Sequence, residues 1–177
     1  MKTESLREES FMIGDIKVTP KYVNHPVITL AYRFDCDGKS ICFMTDVEPY
    51  RDVIYNGECP SEDEREEFQE VQDLVAAQNQ SIVDFTKSTD ILVMDAQYTH
   101  AEYLDGKVGW GHTSMEDAIK IARNANVRNL VFAHHDPERS DDELDRLVGH
   151  YRDQLGAEKG CPIEELSATI EGRSLTV

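Results

Sequence analysis

The chain is 177 residues long, 40% hydrophobic and 30% charged, which is enough apolar material for one packed core and too little length for a second. A single domain over residues 1–177 is expected. Acidic residues outnumber basic ones 35 to 18, for a formal charge of −17, and a field of that sign repels polyanions, so non-specific nucleic-acid binding is disfavoured. No apolar run approaches the roughly 18 residues of a membrane span. Residues 1–11 are charged where a secretion signal is apolar, so the sequence predicts no membrane association and a cytoplasmic location.

In chain order, residues 16–19 and 26–34 have strand composition, and residues 40–44 form the partner of the second, with Asp37-Gly38 as a tight hairpin signal between them. An acid-rich stretch over 58–73 reads as the solvated start of a helix or a loop. After it, Val71, Leu74, Val75, Ile82, Val83 and Phe85 give a helix with one apolar face. Ile91-Leu92-Val93-Met94 and Leu130-Val131-Phe132-Ala133 are short apolar runs that read as buried strands. Between them, Met115, Ala118, Ile119 and Ala122 fall at helical spacing over 114–125, and Thr113 with Glu116 has the form of a capping box. Ser140 with Glu143 opens another helix through Leu144, Leu147, Val148 and Tyr151. The predicted order is a β-hairpin followed by βαβα. Cys36, Cys42, Cys59 and Cys161 have no C-x-x-C spacing and read as small buried hydrophobes.

Polar residues at the ends of buried strands draw attention first, because a rigid sheet holds the loops there. His25 precedes the 26–34 strand, Asp46 follows 40–44, Asp95 follows Met94, and His134-His135-Asp136 follow Ala133. Imidazole and carboxylate donors of this kind suit zinc, iron or manganese. Each taken alone also fits a turn residue or a satisfied histidine.

Five ordered segments sharpen this reading: Asn24-His25 leading to Tyr32-Arg33, Gly38-Lys39 leading to Thr45-Asp46, Asp95-Ala96-Gln97-Tyr98, Gly111-His112-Thr113-Ser114, and Ala133-His134-His135-Asp136. Together, over residues 14–141, they resemble the metallo-β-lactamase fold, and most closely its phosphodiesterase-like branch, which includes tRNA 3′-processing endonucleases of the RNase Z type. The resemblance implies an α/β fold, here part of an αββα sandwich. It implies His25 as a ligand of one metal, Asp46 as a bridge between two, and His134 as a ligand of the second, with zinc the family's usual ion and iron or manganese as substitutes. It also implies a proton-transfer pair, His112 oriented by Asp95, where relatives commonly carry Glu at the carboxylate position. The reaction implied is hydrolysis of a phosphodiester or related ester by a metal-activated water, with His112 aiding the leaving group. The acidic field favours a small phosphorylated substrate. His135 and Asp136 receive no role beyond turn formation.

The resemblance has one large departure. The H-x-H-x-D-H motif that supplies most ligands in this fold has no counterpart in the chain, so each metal is expected to keep one His and a shared Asp, fewer than the three protein ligands usual for catalytic zinc. The sequence therefore predicts the C-terminal part of a hydrolase, with one sheet face uncovered and the missing half either outside the given sequence or supplied by a second copy or another chain. Two alternatives remain at this level. One is a shortened, non-catalytic relative that serves as a binding or interaction module, and the other is an unrelated doubly wound domain. Antiparallel pairing of the strand after His25 with the strand before Asp46, which the metallo-hydrolase reading requires, separates the shortened relative from the doubly wound domain.

Overall fold

Seven strands form one sheet in strict sequence order: β1 (Phe11–Ile13), β2 (Ile16–Val23), β3 (Thr29–Cys36), β4 (Lys39–Met44), β5 (Ile91–Asp95), β6 (Asn129–Ala133) and β7 (Glu165–Ala168). The computed structural model describes residues 7–177, so the first six residues of the charged 1–11 segment lie outside the described residues. β1 to β4 form an antiparallel meander, and β4 to β7 run parallel. The β3–β4 pairing, with Tyr32 opposite Phe43 and Phe34 opposite Ile41, is the antiparallel hairpin that the doubly wound reading does not allow.

The parallel strands are joined by α1 (Arg65–Thr86), by α2 (His100–Leu104) with α3 (Met115–Asn124), and by α4 (Asp141–Ala157). Each crossover moves one strand in the same direction, so right-handed connections place all the long helices on one face. Burial agrees with that geometry. Cys42, Leu92, Leu130 and Leu166 lie side by side in register, as do Met44, Met94 and Phe132. All seven are core residues, packed with Ile82 of α1, with Met115, Ala118, Ile119 and Ala122 of α3, and with Leu147, Val148, Tyr151 and Leu155 of α4. The opposite face carries Phe43, Val93 and Val131 in register. Phe43 is 44% exposed there, and Ile16 and Tyr22 of β2 are exposed beside it.

Several boundaries differ from expectation for local reasons. β2 runs on through Pro20 to Val23, because β1 pairs only as far as Val18 and the missing Pro20 N–H interrupts no ladder on that side. The next strand starts at Thr29, not at residue 26. His25 Nδ1 takes up the backbone N–H of Val27 and the Thr29 hydroxyl, a local alternative to sheet pairing that leaves Ile28 86% exposed. The cap of α3 is Ser114, whose hydroxyl accepts from Asp117 N, while Thr113 donates to Val47 O and Glu116 is spent on His100 N and Tyr151 OH. The capping box sits instead on α2, between Thr99 and Glu102. Ser140 caps α4 as expected, accepting from Glu143 N. The acid-rich stretch divides between a loop and the exposed first turns of α1, and of the apolar positions expected to line that helix Ile82 is buried while Leu74 is exposed. Arg33 finishes α1 at its other end, donating to Phe85 O and Lys87 O, where the helix's last turn has no basic residue of its own. Cys42 is buried and its thiol is pushed up to about 12 by burial; Cys59 is exposed, against the expectation of a buried small hydrophobe.

Candidate metal and proton-transfer centre

The carboxyl ends of β4, β5 and β6 deliver three of the candidate residues to one place. Asp46 lies two residues past β4 and His134 immediately past β6, and both take a left-handed backbone, each with φ of 56°. Such a conformation costs a non-glycine residue energy and recurs at functional sites, because it turns a side chain out of the strand direction. Here it brings His134 Nε2 within 2.7 Å of Asp46 Oδ1. Gln97 Nε2 lies 3.0 Å from the other ring nitrogen, Nδ1, and fixes the ring. The Asp46–His134 approach lacks hydrogen-bond geometry, and Asp46 Oδ1 is buried with no hydrogen-bond partner. A buried carboxylate oxygen without a donor is destabilising unless a cation meets it.

Asp95 ends β5 and is fully buried. Its Oδ1 accepts from Thr113 N and Gln97 N and its Oδ2 from Val47 N, at 3.1 to 3.4 Å. The remaining capacity of Oδ2 goes to His112 Nδ1 at 2.8 Å. Although one methylene shorter than Glu, this side chain reaches its partner. The hydrogen bond to Asp95 holds the His112 imidazolium above its ordinary pKa, against the opposing effect of partial burial, and the charges of Asp95, Asp46 and Glu48 add to the rise. With Nδ1 engaged, His112 keeps Nε2 for a ligand. Its ring stacks on that of His134, with centroids 4.6 Å apart.

Asp46, Asp95, His112 and His134 each offer a ligand atom, all within 4.8 Å of one another. His25 stands beside this group and not within it. Its ring is edge-on to His112 at 5.7 Å, and its Nδ1 is taken by Val27 N and Thr29 Oγ1, which leaves Nε2 unengaged among the described residues. Gly111 permits the approach: a Cβ on it would fall 2.3 Å from His25 Cδ2, and its φ is +93°. The orphaned Asp46 oxygen beside His134 Nε2, with His25 Nε2 adjacent, fits a divalent metal ion, while Asp95 is already engaged by its hydrogen bonds. Asp136 forms a turn, accepting from Glu138 N, and His135 contacts Thr169 Oγ1.

Three contributors were not singled out from sequence. Glu48 is buried and accepts from the Tyr103 hydroxyl and from Gly109 N and Gly111 N, so it pins the chain just before His112. Its own N–H bonds Asn24 O, next to His25. Gln97 orients His134. Arg139, its side chain only 3% exposed, pairs with Glu102 and bonds Gln97 O. The position of Glu48 two residues after Asp46, in a strand-end loop, was the available signal.

No protein-family model matches the chain. In sequence it is 35% identical over 83 residues to a ribonuclease Z of Pseudomonas putida strain GB-1, covering 42% of this chain and 26% of that protein. It is 25% identical over 109 residues to a ribonuclease Z of Brevibacillus brevis, covering 62% and 28%. The chain thus spans about a quarter of the length of the curated relatives it matches. In structure it is similar to the metallo-β-lactamase fold protein YhfI of Bacillus subtilis, with TM-score 0.59 at 15% identity over 94% of this chain and 50% of that one. It is also similar to a diphosphatase of the PhnP family, with TM-score 0.55 at 15% identity over 99% and 49%. The fold is that of the metallo-β-lactamase superfamily. In sequence the similarity, over part of the chain, is to ribonucleases Z.

Proposed function

We propose that this chain carries the metal-binding and proton-transfer half of a metal-dependent hydrolase that cleaves a small phosphodiester or related phosphorylated ester. The observation that carries the reading is the buried, hydrogen-bond-free Asp46 Oδ1 facing His134 Nε2 beside a hydrogen-bonded Asp95–His112 pair. Asp46 and His134 would hold the ion, with His25 Nε2 adjacent, and zinc is the ion we favour, iron or manganese being the substitutes. A divalent ion bound there supplies Lewis-acid charge to a phosphoryl oxygen and acidifies a water. Asp95 holds His112 through Nδ1 and favours the protonated ring. Nε2 of His112 then donates that proton to the departing oxygen. We also propose that the ligand set is completed from outside these 177 residues, by a second copy or by a chain that lays a second layer on the exposed sheet face around Phe43. The exposure of Phe43, Ile16 and Tyr22 on that face supports the arrangement.

The test is elemental analysis of protein purified without chelator, in parallel with hydrolysis of bis(p-nitrophenyl) phosphate in added zinc or manganese. Where a second copy completes the site, metal that is lost in Asp46→Ala and His134→Ala is expected, with His112→Ala retaining metal and losing turnover; a metal-free chain would remove the second copy as the source of the missing ligands. Metal retained equally by wild type and both ligand variants would sink the assignment.

A further inference from the structure

We propose that Lys107 and Trp110 form a subsite at the rim of this centre for the non-reacting part of the substrate: an anion that also carries a planar aromatic ring, as a nucleotide does. This rests on the phosphoester reading of the site. The end of α2 and the loop to α3 expose three apolar residues, Leu104, Val108 and Trp110, the last 55% exposed, and water gives no reason to display an indole. The loop is not slack. Glu48 accepts Gly109 N through Oε1 and Gly111 N through Oε2, both at 2.8 Å, so the backbone is anchored on either side of Trp110. Trp110 N bonds Lys107 O and closes a turn.

That turn sets the Lys107 ammonium 4.1 Å from the Trp110 ring centroid and 5.6 Å from that of Tyr98. Among the described residues no carboxylate lies within ion-pair distance of Lys107, although the chain carries 35 acidic residues. An ammonium held between two rings and left without a counter-ion is placed to receive an anion. Tyr98 continues the line inward, its ring 6.4 Å from His112. The rings of Trp110 and Tyr98 thus connect the solvent rim to the proton donor, with the cation between them. Lys107 occupies one side of the indole, and the exposed remainder offers a surface on which a base can stack.

Trp110 is the chain's single tryptophan, so its fluorescence reports the subsite directly. The probes are adenosine 5′-monophosphate, adenosine and ribose 5-phosphate, titrated into the intact chain, with calorimetry where Trp110 is replaced. Saturable quenching by the nucleotide is expected, with adenosine and ribose 5-phosphate each binding at least about tenfold more weakly. Lys107→Ala should weaken the nucleotide at least about tenfold, and Trp110→Leu should weaken the nucleotide while leaving ribose 5-phosphate unchanged. Equal affinity for nucleotide and ribose 5-phosphate, affinity untouched in both variants, or no saturable quenching at millimolar nucleotide would each overturn the proposal. Metal content is read on the same samples. A metal-free chain that still binds the nucleotide through Lys107 and Trp110 would support the rim subsite while counting against the metal reading, so the two fail separately.

Discussion

Asp95 serves two purposes with one side chain, and its substitution separates them. Its carboxylate satisfies three buried backbone N–H groups as well as His112. Asp95→Ala orphans those donors and should cost about 3 kcal/mol, roughly 10 °C in Tm for a chain of this size. A shift within about 2 °C in thermal unfolding would contradict the network. Gly111 can be tested against Gly109, because both have positive φ but a Cβ would collide with His25 only at Gly111. Gly109→Ala should therefore show backbone strain alone, about 1 kcal/mol. Gly111→Ala should cost more and should also displace His25, read as a changed imidazole resonance in NMR. Identical behaviour of the two variants would remove the packing argument. These residues mark how far the site could be read from sequence. Asp46, Asp95, His112 and His134 were legible because each sits at a strand end or helix start within an ordered motif. Glu48 and Gln97 were not, because their roles consist of contacts to Gly111 and His134 that only the folded loops create.

At the scale of elements, apolar periodicity located β4, β5, β6, α3 and α4, whose inward residues repeat cleanly. It did not find β1, α2 or β7, whose apolar residues are too few to register beside the four-residue runs of β5 and β6. The start of α3 shows why a motif can mislead by one position. Thr113 and Glu116 have capping-box spacing, but Thr113 is drawn to Val47 O and the cap falls to Ser114. Ser114→Ala should therefore cost about 1 kcal/mol in urea unfolding. Glu116→Ala should act through Tyr151 and His100 instead, so a double variant with Thr113→Ala should be additive to within about 0.5 kcal/mol. Strong coupling between positions 113 and 116 would restore the capping box.

The molecule as a whole presents an unequal sandwich: one sheet face sealed by helices, the other with Phe43, Ile16 and Tyr22 in solvent. If that face receives a second copy, sedimentation should reveal concentration-dependent association that Phe43→Glu weakens without changing the circular dichroism spectrum; a monomer at all concentrations in both would remove self-association as its cover. On the sealed side, two phenols sit against carboxylates, Tyr103 on Glu48 beneath the site and Tyr151 on Glu116 between α3 and α4. Burial first, and the neighbouring carboxylate second, push both phenols above their ordinary value. The folded state thus favours the protonated phenol. Below about pH 10 both folded and unfolded chains hold that proton and the full stability is present. As pH climbs past that point the unfolded chain ionises its tyrosines while these two resist, so stability falls progressively with rising pH. An alkaline titration followed by phenolate absorbance and circular dichroism together should show that at least two of the seven tyrosines ionise only as the fold is lost. Tyr151→Phe should remove one of those late-ionising groups. Smooth ionisation of all seven near the ordinary value, with the dichroism spectrum intact, would mean that neither carboxylate is engaged as described and that Glu48 does not pin the loop carrying Trp110 to the core.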